Sequence, residues 1–270
     1  MQPSAVCEAK SGPITISASP ADLRQIRIAH EQLTNAMSFM WWENVDCSCL
    51  EKHFPRGSAV EQRKADALWI TGKDSSAHWE LEMTAVPDGA ILKLTVTNTG
   101  TEPWKDICAA ISCFSPRYPN GSTNYARPIG QERGRSPFAD RDNRDHTYAL
   151  NKKGELQLLT PMGAAFASPA VEAAVKADAN WLSTWWNESY PPAKWYPSTG
   201  LLIRYDQTSG WVMALYWDDW VHLKTHDLFD CLHVDPRFGA LKPGESKTLH
   251  GRLYLYQGSP ARVLSHGVQK

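Results

Sequence analysis

The ten residues Ala77–Val86, AHWELEMTAV, set Trp79, Leu81 and Met83 in alternation with His78, Glu80, Glu82 and Thr84. A period of two sends every second side chain to one face, so this stretch can bury a single side only as a β-strand. Pro87-Asp88-Gly89 then supplies a turn. Ile91, Leu92, Leu94 and Val96 give a second strand, and Asn98–Pro103 turns the chain again. The pair predicts a hairpin, which needs further strands to cover its apolar face. Candidates lie at Ile14–Ser17, Ala67–Thr71, Ile107–Phe114, Leu156–Thr160, Leu201–Tyr205, Trp211–Trp217 and Thr248–Tyr256, most of them bounded by Gly, Pro, Asn or Asp. Many short strands with turn punctuation predict a mostly β chain folded as an antiparallel β-sandwich. Ser19-Pro20, Ser168-Pro169 and Ser259-Pro260 each put a capping hydroxyl ahead of a proline, and predict a few short helices. Asp22 makes the first of these a capping box, with Leu23, Ile26 and Leu33 as its buried stripe.

At 270 residues the chain suits one domain spanning 1–270. Its 28 Lys and Arg against 29 Asp and Glu leave a net charge of −1, which gives no field to attract nucleic acid. No apolar run is long enough to span a membrane. The opening MQPSAVCEAKSGPITIS lacks a basic region followed by an apolar one, so a secreted or periplasmic location is expected only if a leader has already been removed. The sequence leaves the oligomeric state open. Phosphate-loop, dinucleotide and serine-hydrolase signatures are missing. The six cysteines are too sparse for a disulfide-built scaffold, and Cys47-Ser48-Cys49 is not a CxxC metal motif. Buried thiols with at most one bridge are expected.

ILKLTVTNTGTEPW (Ile91–Trp104) and FGALKPGESKTLHGRLYLYQG (Phe238–Gly258) resemble strands of galactose-mutarotase-like β-supersandwich domains. CLHVDPRFG (Cys231–Gly239) is similar to sandwich proteins of environmental bacteria. The first resemblance implies a supersandwich-like fold and, by analogy of fold, a carbohydrate ligand.

Three clusters could carry chemistry. Twelve tryptophans are an unusual load, and indole faces pack well on sugar rings. Trp79 and Trp211 are expected in the core, and Trp41-Trp42 as one ring in and one out. Trp185, Trp186, Trp195, Trp217 and Trp220 are the candidate platforms because Asn, Asp, Tyr and Pro surround them. The segment Trp217–Pro236 sets His222, His226 and His233 among aspartates, which suits a divalent metal as a candidate cofactor. It reads as irregular loop followed by strand. His222 and His226 would share a face if helical, and His233 and Asp235 would share one on a strand. The polar stretch Ser115–Asp145 is a long loop of the kind that carries function. Around it, Arg141, His146 and Tyr148 could neutralise a uronate carboxylate and move the proton in a β-elimination, with Tyr125 and Arg127 binding substrate. His233 is the second acid/base candidate, and Asp235 a further substrate contact. Three functions fit: a carbohydrate-active enzyme of lyase or mutarotase type, a non-catalytic carbohydrate-binding sandwich, and a structural domain whose aromatics are core.

Overall fold

The computed structural model describes residues 6–33, 37–46, 58–116, 138, 147–159, 163–178, 181, 192–225 and 231–267. Two antiparallel sheets face each other. The first has eight strands in the order β1 (Cys7–Ser11), β2 (Ile14–Ser19), β3 (Asp22–His30), β4 (Met37–Asp46), β9 (Ala109–Pro116), β16 (Leu232–Pro236), β15 (Trp220–Thr225) and β12 (Ala164–Phe166). The second has nine, in the order β11 (Leu156–Leu158), β10 (Thr147–Leu150), β13 (Gly200–Tyr205), β14 (Trp211–Trp217), β17 (Ser246–Gln257), β8 (Gly89–Asn98), β7 (Ala77–Val86), β6 (Ala67–Lys73) and β5 (Ala59–Lys64). Among the described residues there are two helices, α1 (Pro169–Ala177) and α2 (Ala261–Gly267).

The predicted hairpin is β7–β8, and its two-residue turn is Pro87-Asp88. Trp79, Leu81 and Met83 enter the core, as the alternation requires. The two segments that resemble supersandwich strands are neighbours: β17 pairs with β8 from Ser246 opposite Thr97 to Tyr254 opposite Gly89. The core between the sheets is aromatic around Trp42, whose ring lies 4.0 Å from that of Trp79 and stacks on Phe238 at 6.1 Å. Such pairs add to the burial of their large apolar area.

Two of the three Ser-Pro steps start helices. Ser168 Oγ accepts from Val171 N at the start of α1, and Ser259 Oγ accepts from Ala261 N at the start of α2. The step at Ser19-Pro20 does not. It is the turn between β2 and β3, where Ser19 Oγ accepts from Ala21 N. A bulge sets Ser19 opposite Asp22 but Ala18 opposite Ile26, and these extra residues give Leu23 and Ile26 a helix-like spacing within a strand. A bulge also overturns the expectation for Trp41 and Trp42. The register of β4 against β9 shifts between Met40 and Asn44, alternation lapses, and both rings are buried.

One surface network fastens the two sheets. Asp219, just before β15, accepts from Arg237 Nε at 2.8 Å and from Lys247 Nζ on β17 at 2.6 Å. Burial alone would lift this carboxyl, but the hydrogen bonds from Arg237 and Lys247 outweigh it and hold the group below its ordinary 3.8. A carboxylate depressed on folding contributes stability above its unfolded pKa and loses it as the pH falls through the folded one. Asp219→Asn is therefore expected to cost about 1 kcal/mol at neutral pH. In urea unfolding the gap from wild type should hold down to about pH 4 and close below it. A gap that widens in acid would refute the pairing.

Candidate functional site

The alternation of the central strands sorts their side chains. On β16, Leu232 and Val234 join the core between the sheets, as do Leu223 of β15 and Phe114 of β9. The opposite, outer face of the eight-stranded sheet therefore receives Cys113 from β9, Cys231, His233 and Asp235 from β16 and the residue before it, and His222 and Lys224 from β15. Cys113, His233 and Lys224 are successive partners across the three strands.

An amphipathic strand usually turns its polar face to water, yet these residues are buried. Asp235 and His222 are fully enclosed, and Lys224 and His233 are 1% exposed. Against His222 lies a further apolar cluster of Ile107, Ala109, Phe166, Val171, Val175, Trp181 and Val221. Val171 and Val175 come from α1 and Phe166 from β12. The His222 ring stacks on Phe166 at 5.6 Å and meets Trp181 edge-on at 5.1 Å. Tyr196 fastens this cluster by donating to Glu172 of α1 at 2.7 Å. The hydrogen bonds from Lys176 and Tyr196 hold Glu172 below its ordinary range.

Asp235 sits between two basic groups. Its Oδ2 is 2.8 Å from His222 Nδ1 and 3.9 Å from Lys224 Nζ. The first contact has ion-pair distance without hydrogen-bond alignment, and the second is at the outer limit of an ion pair. Burying a carboxylate and an ammonium costs several kcal/mol per ion unless they compensate each other, so the grouping is expensive to keep. A carboxylate beside an imidazole is the pairing that backs a general acid/base.

The structure brings together only some of the residues nominated from sequence. His233 and Asp235 share a face as expected, but the imidazole paired with Asp235 is His222, from the neighbouring strand. His222 lies on a strand, which replaces the loop expected there and the helical pairing with His226. Tyr148 is half-buried on β10 opposite Ile203, on the outer face of the other sheet, so the inter-sheet core separates it from His233. Trp217 and Trp220 are buried in the core, where Trp217 Nε1 donates to Ser112 Oγ at 3.2 Å, and neither offers an open face to a sugar. Trp195 is half-buried against the same core. Of the ten described tryptophans, Trp195 alone is not buried, which removes most of the platform argument. His146, Arg141, Tyr125, Arg127, Trp185, Trp186 and His226 lie outside the described residues, as do Cys47 and Cys49 and nearly all of Ser115–Asp145. Cys7, Cys108, Cys113 and Cys231 are thiols.

Sequence reasoning missed Lys224 and Arg204. Arg204 of β13 is 1% exposed and points into the sandwich, where Nε donates to Thr147 Oγ1 at 3.0 Å and Nη2 to Thr225 Oγ1 at 3.1 Å. It thus ties the start of β10, next to His146, to the end of β15. Arg204→Lys keeps a cation but loses the fork, and is expected to cost about 1–3 kcal/mol in urea unfolding. An unchanged midpoint would show that the two threonine bonds contribute nothing.

No protein-family model matches the chain, and no curated protein matches it either. Solved structures do. A putative aldose 1-epimerase from Escherichia coli K12 aligns with TM-score 0.50 and 11% identity over 94% of this chain and 99% of its own. A galactose mutarotase related enzyme from Lactobacillus acidophilus aligns with TM-score 0.50 and 8% identity over 95% of this chain and 99% of its own. The fold is the galactose-mutarotase-like β-supersandwich. At such identities the likeness is one of fold, and a supersandwich of this kind can host different chemistries through its side chains and loops. In this chain the outer face of the eight-stranded sheet carries the enclosed His222–Asp235–Lys224 group.

Proposed function

We propose that this protein is a carbohydrate-active enzyme that moves protons on a sugar ring, by mutarotase-like acid/base chemistry on the outer face of the eight-stranded sheet. One observation carries the reading: His222, Asp235 and Lys224 converge at 2.8 and 3.9 Å on a face where burying charge is costly. The aldose epimerase and mutarotase titles of the two aligned structures point to the same substrate class. A sugar reaches these groups only when the Phe166 and Trp181 side chains over His222 part; in ring opening His222, backed by Asp235, then takes the proton of the anomeric hydroxyl while the C1–O5 bond breaks. Lys224, as the ammonium, gives a proton to O5, and the reverse transfers close the ring on either face.

The test is anomer interconversion followed by proton NMR for a panel of aldoses, with uronate polymers followed in parallel by the ultraviolet absorbance of unsaturated products. Acceleration of interconversion over the spontaneous rate is expected, together with a loss of about 10²–10⁴-fold in His222→Asn. Unsaturated product would instead assign lyase chemistry. Saturable glycan binding with neither product would sink the enzyme reading in favour of a binding module.

A further inference from the structure

Next to that group, the same face holds a different set of donors. Cys113 and His233 are direct partners across β9 and β16, and Cys231 lies two residues before His233, so all three side chains project to one side. Each is buried, and one ligand atom from each lies within 4.8 Å of the other two. Cys231 Sγ is 3.1 Å from His233 Nε2, so a ring nitrogen rather than a ring carbon is aimed at the sulfur.

We propose that Cys113, Cys231 and His233 form a buried site for a thiophilic d¹⁰ cation, with Zn²⁺ as its first occupant. Two thiolates and an imidazole are soft to borderline ligands, suited to Zn²⁺ or Cu⁺ and poorly suited to Mg²⁺ or Ca²⁺. With metal–sulfur bonds of about 2.3 Å and metal–nitrogen bonds of about 2.0–2.1 Å, tetrahedral donors stand roughly 3.5–3.8 Å apart. The 3.1 Å contact would open by about half an ångström and, from separations of at most 4.8 Å, no pair would close by more than about 1.3 Å, shifts that side-chain rotations supply. Among the described residues these three are the donors that converge, which leaves one tetrahedral position for a water. Two thiolates cancel the dication, so the occupied site carries no net charge into an interior that penalises it.

Two other uses of these groups fit less well. A disulfide between Cys113 and Cys231 would join diagonal positions, which lie about 7–8 Å apart between Cα atoms in an antiparallel pair. A relaxed disulfide spans at most ~6.8 Å. A Cys231–His233 nucleophile would use two of the three donors and leave the buried Cys113 thiol beside them without a part in the chemistry.

The site is independent of the sugar reading, and its test does not use activity. The reduced, metal-stripped full-length protein is titrated with Co²⁺, a spectroscopic stand-in for Zn²⁺. One equivalent is expected to give thiolate-to-cobalt charge-transfer absorption, which Zn²⁺ then abolishes, and Zn²⁺ should raise the melting temperature. A parallel titration with Cu⁺ ranks the two d¹⁰ ions. Cys231→Ser and His233→Gln should each weaken binding by at least about tenfold, while Cys7→Ser keeps the full signal. A folded wild-type protein with no charge-transfer band overturns the proposal, whatever the variants do. So does a band that survives Cys231→Ser, or a Cys113–Cys231 disulfide in protein purified without reductant.

Discussion

Replacing Asp235 by asparagine is expected to destabilise the fold by about 3–5 kcal/mol and to reduce the proposed activity by two orders of magnitude or more. The amide preserves volume, so the effect isolates the charge. Asp235 is fully enclosed and its Oδ2 is the atom that both His222 Nδ1 and Lys224 Nζ approach. Removing one member of a buried group leaves the others with an environment built for its charge, and water cannot enter to replace it. The same reasoning predicts strong non-additivity. Asp235→Asn combined with His222→Asn should cost less than the two single changes together, by about 0.5–3 kcal/mol in a double-mutant cycle from urea unfolding. Additive costs would mean that the 2.8 Å approach carries no interaction energy. A native midpoint for Asp235→Asn would remove the energetic reason for treating this face as a site.

Much of this face was written in the sequence in a form that could be read only in part. The run Cys231-Leu232-His233-Val234-Asp235 alternates strictly, and His222-Leu223-Lys224 does so within a segment that reads as irregular because it is so polar. Period two was the signal for β15, and the aspartates around it obscured that signal. Alternation says which residues share a face. It does not say that the polar face will be covered, because the rings against His222 are Phe166 and Trp181, far along the chain from β15. Nor can it show that Cys113 stands opposite His233, since the register between strands so far apart is a tertiary property. Local errors have local causes. At Ser19-Pro20 a capping pattern and a helix-like spacing of Leu23 and Ile26 both arise from a hairpin with a bulge. Trp41 and Trp42 are both inside because a second bulge suspends the alternation.

The tryptophans show how composition can suggest a function and describe a core instead. Rings of this size need facing positions that are nearly empty, and the glycines of the second sheet supply them. A Cβ on Gly251 would stand 2.6 Å from the Trp217 ring, and one on Gly200 would stand 2.6 Å from that of Trp220. These indoles fill the sandwich against bare backbone, so the carbohydrate reading rests on the fold and on the buried polar group of the outer face.

The largest purely structural effect is expected at Gly89, where the β7–β8 turn delivers the chain into β8 beside β17. Its φ is +147°, a region open to glycine and almost closed to other residues, and an added Cβ would stand 2.0 Å from the carbonyl oxygen of Leu253. No side-chain rotation relieves that contact, because the atom belongs to the backbone of the neighbouring strand. Gly89→Ala must therefore spread β8 from β17 near Tyr254, adding lost ladder bonds to the dihedral strain, at a combined cost of about 3–5 kcal/mol. Gly244 is the internal control. Its φ is +83° and a Cβ there would meet nothing within 4 Å, so Gly244→Ala incurs the dihedral strain alone, about 1 kcal/mol. The difference between the two variants in urea unfolding measures how tightly β8 and β17 are held together. Equal costs would mean that the strands part easily, and that the pair which carries the sequence resemblance to the supersandwich is not the rigid centre of the second sheet.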